Sequence, residues 1–218
     1  MGYETPAISK PGRTGGDYFD FLPMSDGHWG IVIGDGSGHG IGAALLVAET
    51  RASLRAFALT LTDPGQVLDS VNQRLVEDIT ADHFVTLFLA RLSPLTRSLV
   101  YSSAGHVPGY VLDGRGEVKL VLQSTGLPLG VDHTGDFPTG PAVHLEAGDL
   151  VLLLSDGIVE APAGDGRLFG IGRTLKVVQE RRHEPPADIV AALVQEVRAW
   201  SQGVPADDMT AIILKTGG

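Results

Sequence analysis

The 218-residue sequence contains no cysteine. That absence excludes disulfides, thiolate metal sites and every mechanism built on a cysteine nucleophile, and it suits a reducing, cytoplasmic setting. Long apolar runs are also missing. The strongest, Ala43–Ala48 and Leu150–Leu154, fall far short of the ~20 residues of a membrane span. Basic residues are scarce, 16 Lys and Arg against 26 Asp and Glu, for a formal charge of −10. A nucleic-acid partner, which needs a basic patch to neutralise phosphates, is therefore not expected. The acidic balance instead favours cations or a basic partner surface. The opening Met1-Gly2-Tyr3-Glu4 lacks the basic and apolar regions of a signal peptide. The expectation is a soluble, cytoplasmic protein with no membrane span.

What is present is a globular composition, with 43% hydrophobic residues and 29 glycines. Residues 1–14 show no period and read as an extended arm; 15–216 read as a single domain, with no linker or repeat. Tyr18–Leu22 and Trp29–Ile33 suggest a hairpin. A helix follows from Ile41 to about Leu59. A second begins at Asp63-Pro64, with Asp63 as N-cap, Pro64 in the first position, and Val67, Leu68, Val71, Leu75 and Ile79 as its apolar stripe. Strands are expected at Phe84–Leu92, Ser98–Ser103, Gly109–Leu112, Val118–Leu122, Leu150–Leu154 and Ala211–Lys215, with late helices near Gly172–Arg182 and Pro186–Trp200. The segment Glu160–Phe169 reads as a loop that buries little and opens at low cost. The sum is an α+β fold.

The acids are placed unusually. Turns carry aspartates beside small residues at Gly15-Gly16-Asp17-Tyr18-Phe19-Asp20, Gly34-Asp35-Gly36, Ser155-Asp156-Gly157 and Asp207-Asp208. Asp35 and Asp156 each follow an apolar strand and precede glycine, which puts a carboxylate at a sheet rim. Any one Asp-Gly is an ordinary turn dipeptide. Gathered together without Cys or His, such carboxylates select hard cations such as Mg²⁺ or Mn²⁺, and at close range they could not all stay ionised without one. Gly34–Gly40 lacks the Lys-Ser/Thr ending of a P-loop, and Ser37 lacks the flanking pattern of a nucleophile elbow. His39 in the same loop is a candidate acid or ligand.

In this order, GGDYFD, GDGSGHG with its Ala-Ala-Leu-Leu helix, SSAGHVPGY, TGLPLG, GDLVLLLSDGIVEA, LFG and DDMTAIIL resemble the PPM-type (protein phosphatase 2C-like) Ser/Thr phosphatases, in particular the bacterial SpoIIE/RsbU subfamily. The resemblance spans about Gly15 to Leu214. It implies an α-β-β-α sandwich of two antiparallel sheets flanked by helices, and a centre of two divalent cations, Mn²⁺ or Mg²⁺. By the same resemblance Asp35 bridges both ions, Gly36 supplies a backbone carbonyl, Asp156 and Asp207 complete the first metal set, and Asp17 holds the second. Asp17 and Asp35 are thus the catalytic candidates, with Asp20 and Asp208 as orienting groups behind them. Eukaryotic relatives hold phosphate with an upstream arginine, and Arg13 lies near that place. The implied reaction is hydrolysis of phosphoserine or phosphothreonine by a metal-activated water. The implied substrate is a STAS-type anti-sigma-factor antagonist, with an upstream regulator or sensor domain as a further partner. A catalytically weak interaction module of the same fold and a small-molecule phosphohydrolase are the alternatives.

Overall fold

The structure is a computed structural model describing residues 3–4, 7–10, 16–24, 26–38, 40–78, 83–202 and 207–217. The chain divides into two compact units, each assembled from separated stretches. Both are built on an antiparallel sheet with helices, an α+β architecture.

The unit formed by Arg13–His106 and Gln123–Leu145 holds β3 (Asp17–Pro23), β4 (Trp29–Gly36), β5 (Val85–Ser93), β6 (Ser98–Ala104) and β9 (Val143–His144), in that spatial order. The expected hairpin is β3–β4. Its helices are α1 (Ile41–Phe57) and α2 (Pro64–Asp78). Buried Ala43, Leu46, Thr50 and Leu54 recur every three or four residues along α1, the period of a helix with one face on a core. Asp63 caps α2 as expected, its Oδ1 accepting the Gln66 amide at 3.0 Å, and Val67, Leu68, Val71 and Leu75 are fully buried. Ile79 lies outside the described residues. The loop before α1 is pinned to β5: the Phe84 amide donates to Ser37 Oγ at 2.8 Å, and the Ser37 amide donates to the Phe84 carbonyl at 2.9 Å.

The other unit, Met1–Gly12, Val107–Leu122 and Glu146–Gly218, holds β1 (Tyr3–Glu4), β2 (Ala7–Lys10), β7 (Gly109–Leu112), β8 (Val118–Leu122), β10 (Leu150–Leu154) and β11 (Met209–Thr216). Between β7 and β11 lies β10, every residue of which is buried; this is why it reads as an unbroken apolar run. Both β1 and β2 pair antiparallel with β11, so the described parts of the N-terminal segment lie at an edge of this sheet. Its helices are α3 (Asp156–Val159), α4 (Gly170–Arg181) and α5 (Pro186–Trp200).

Two local readings are corrected. Ser155-Asp156-Gly157 is a helix start rather than a simple turn, because Asp156 opens α3. The segment 160–169 is a tight hairpin. Ala163 and Phe169 donate amide hydrogen bonds to Arg167 and Ala161, and the Trp200 indole donates to the Arg167 carbonyl at 3.2 Å. Phe169 is buried and meets Trp200 edge-on at 6.2 Å, so the segment is anchored to α5 by an apolar residue at its end.

Candidate functional site

Asp17 and Asp35 stand directly opposite each other in the β3–β4 register, so their side chains share one face of the sheet. Each offers a carboxylate oxygen within 4.8 Å of the other, and both are half-buried. Gly16 shapes the space beside them. A Cβ there would fall 2.5 Å from Asp35 Oδ1 and 2.6 Å from the Gly36 carbonyl oxygen. Only a bare α-carbon leaves room for these two oxygens to converge. The Gly36 amide ties the segment by donating to the Gly16 carbonyl at 3.0 Å. The result is an all-oxygen donor set on paired strands, the chemistry of a hard divalent cation.

Asp20 has a different job. Three positions along β3 from Asp17, it projects to the opposite face. There Arg55 of α1 grips it with two hydrogen bonds, Nε to Oδ2 at 2.8 Å and Nη2 to Oδ1 at 2.7 Å. Tyr18 donates its hydroxyl to Oδ2 at 2.9 Å, and Arg51 approaches at 3.5 Å. Partial burial opposes ionisation of Asp20, but the Arg55 and Tyr18 hydrogen bonds outweigh it and hold the carboxyl below the usual carboxylate range. Asp20 therefore braces β3 against α1. Since its folded-state pKa is depressed, the stabilisation is complete at neutral pH and drains away as pH falls below about 4. Asp20→Asn is expected to lower the melting temperature at pH 7 and leave it nearly unchanged near pH 2; equal losses at both would show that shape, not charge, matters.

In the other unit, β10 delivers Ser155 and Asp156 and β11 is preceded by Asp207 and Asp208. Two reciprocal bonds lock these segments: Ser155 donates its amide to the Thr210 carbonyl at 2.9 Å, and Thr210 donates its amide to Ser155 Oγ at 2.9 Å. Gly157 permits the approach, since a Cβ there would lie 1.8 Å from the Asp208 carbonyl oxygen. Burial, and then the neighbouring charge of Asp207, push the Asp156 carboxyl above its ordinary range. Asp207 is exposed and accepts the Asp208 amide at 2.8 Å, whereas Asp208 is buried. A cleft of about 310 Å³ opens here, lined by Asp156, Gly157, Glu160, Pro162, Leu168 and Asp207.

Each unit thus brings together one pair of the expected acids, Asp17 with Asp35 and Asp156 with Asp207. Arg13 and His39 lie outside the described residues. Sequence reasoning missed the arginines that claim Asp20; their signal was the Arg51/Arg55 spacing, which puts both on one face of α1. A larger groove of about 520 Å³ runs between α4 and α5, but its Trp200 is already covered by the Arg173 guanidinium, 4.1 Å from the ring centre.

Residues 25–217 match the family described as Stage II sporulation protein E (SpoIIE). The chain is similar to the phosphoserine phosphatase RsbU of Bacillus subtilis, 29% identical over 210 residues that cover 96% of this chain and 62% of that protein. It is also similar to the phosphoserine phosphatase RsbP of the same organism, 24% identical over 91% of this chain and 48% of that protein. It spans less than two thirds of the length of either relative. Among solved structures, the SiaA-PP2C domain of Pseudomonas aeruginosa superimposes with a TM-score of 0.85 at 24% identity, covering 97% of this chain and 85% of that one. The PP2C phosphatase domain of SpoIIE from Bacillus subtilis, solved with a fragment of its regulatory domain, gives 0.85 at 24% identity, covering 99% and 63%.

Proposed function

We propose that this chain, which belongs to the SpoIIE family, is a metal-dependent protein serine/threonine phosphatase. In this reading Asp17, Asp35, the Gly36 carbonyl, Asp156 and Asp207 would each serve as ligands to divalent cations, two in number and Mn²⁺ or Mg²⁺ in kind; Asp35 would serve both ions and Asp17 the second. Such ions would supply a Lewis acid for the phosphate oxygens and lower the pKa of the attacking water. The chain's own contribution is rigidity: β3 and β4 hold two carboxylates on registered strands, and the Ser155–Thr210 clamp holds Asp156 near Asp207. The observation that carries the reading is the convergence of Asp35 Oδ1 and the Gly36 carbonyl beside Gly16, with Asp17 facing them. Asp208, buried behind Asp207, is proposed to orient it, while Asp20, already engaged by Arg55, contributes to the frame.

The substrate is proposed to be phosphoserine or phosphothreonine on a protein of the STAS-type anti-sigma-factor antagonist class, in the cytoplasm and under an upstream regulator or sensor. Support comes from the phosphoserine phosphatases RsbU and RsbP to which the chain is similar. With water as nucleophile, no phosphoenzyme forms. Chelating divalent ions should abolish hydrolysis of an aryl phosphate, and Mn²⁺ or Mg²⁺ should restore it where Zn²⁺ does not. Full turnover in excess chelator, or labelled phosphate trapped on Ser37, would remove the basis of this mechanism.

A further inference from the structure

The motif SSAGHVPGY contributes no side chain to the proposed metal set, yet its histidine is tied to the same row of residues. Asp17 pairs with Asp35 across β3–β4, and Asp35 pairs with Thr86 across β4–β5. Directly opposed residues present their side chains to one face, with Cβ atoms about 4.5–5.5 Å apart. Asp17, Asp35 and Thr86 therefore form a continuous polar row on three adjacent strands. At its end, beyond β6, His106 shares a hydrogen bond of 2.9 Å between its Nδ1 and Thr86 Oγ1. His106 is only 5% exposed, so the ring is held by its surroundings.

The backbone around the row is equally fixed. A Cβ on Gly34 would meet the Thr86 carbonyl at 2.7 Å, which keeps β4 close against β5. Gly105, just before His106, donates its amide to the Gly126 carbonyl at 2.9 Å and to Ser124 Oγ at 2.8 Å. Val85 and Leu129 exchange two backbone hydrogen bonds, at 2.9 and 2.8 Å. The SSAGH and STGLPLG segments thus clamp the strand end that carries Thr86.

We propose that Thr86, oriented by His106, is a positioning residue for Asp35. A threonine hydroxyl has one proton. When His106 donates from Nδ1 to Oγ1, that proton is directed away from the ring and toward the next acceptor in the row, the Asp35 carboxylate. The hydroxyl then fixes which Asp35 oxygen turns to the metals, as outer partners of metal ligands commonly do. This role rests on the phosphatase reading above and adds a residue pair to it.

The test measures Mn²⁺ affinity by calorimetric titration without substrate, below the melting transition of every variant, alongside kcat at saturating Mn²⁺. Thr86→Val is expected to weaken Mn²⁺ binding about tenfold or more, and Thr86→Ser, which keeps the hydroxyl, to restore it to within about threefold. His106→Ala should weaken binding in the same direction, and the Thr86→Val/His106→Ala double variant should be no worse than Thr86→Val. Wild-type affinity in Thr86→Val overturns the proposal. So does a Thr86→Ser variant as weak as Thr86→Val, which would make bulk rather than the hydroxyl responsible, or additive losses in the double variant, which would mean His106 acts elsewhere. If the wild-type protein itself binds no Mn²⁺, the phosphatase reading fails along with the positioning role; binding that is indifferent to Thr86 sinks the positioning role alone.

Discussion

Asp35→Asn is expected to lower the metal-saturated rate of phosphate-ester hydrolysis at least about a hundredfold, the scale of losing a principal electrostatic stabiliser. The substitution keeps the side chain's shape and removes its charge. In the proposed centre that charge is shared between two ions, so excess Mn²⁺ cannot make good the loss. Asp17→Asn should behave differently. Asp17 faces Asp35 across the β3–β4 pair but serves only the second ion, which water and phosphate can still partly hold. Its variant should need more Mn²⁺ for activity while keeping much of the saturated rate. Both proteins should remain folded in chelator, because taking one carboxylate from a close pair relieves repulsion. A Mn²⁺ titration of both, beside a melt in chelator, decides the matter. Rescue of Asp35→Asn by excess Mn²⁺, with Asp17→Asn left unrescued, would reverse the two roles.

Gly157→Ala is expected to cost at least about 3 kcal/mol, since overpacking against atoms that cannot move lies in the large-effect tail of single substitutions. The new methyl would stand 1.8 Å from the Asp208 carbonyl oxygen and 3.0 Å from its carbon, both main-chain atoms. Either α3 or the approach to β11 must shift, and with it the Asp156–Asp207 pair. For a chain of this size the melting temperature should fall by roughly 6–12 °C. Gly42→Ala supplies the contrast: it lies in α1 with no atom within 4 Å of the added methyl, and should be neutral or stabilising by up to about 1 kcal/mol. Similar melts for the two variants would show that the close approach at Gly157 does not exist in solution.

Much of the frame follows from local pattern. The alternation and turn residues of 17–36 specify the β3–β4 hairpin, Asp63-Pro64 starts α2, and an unbroken apolar run makes 150–154 an inner strand. The acids at the strand ends are legible for the same reason, because Asp-Gly after an apolar run marks a rim. Local pattern says nothing about what those acids meet. Asp20 and Asp17 look alike in GGDYFD, and only the pairing of β3 with β4, and the packing of α1 on one side, sends Asp20 to Arg55 and Asp17 to Asp35. Segment 160–169 is polar enough to read as a loose loop, yet Trp200, more than thirty residues further on, holds it.

Residue type, spacing and turn chemistry therefore determine which side chains are available and which elements carry them. Register and long-range packing decide which of them come together. In a strand the side-chain period is two, so a slip of one residue between β3 and β4 would carry Asp17 to the face where Asp20 now lies. The partners that forbid that slip, Arg51 and Arg55 on α1 and the Gly36-to-Gly16 hydrogen bond, are up to 35 residues from Asp20. Local periodicity can put Arg51 and Arg55 on one face of α1, but it does not say that Asp20 is what that face meets, which is why the contact belongs to the tertiary structure.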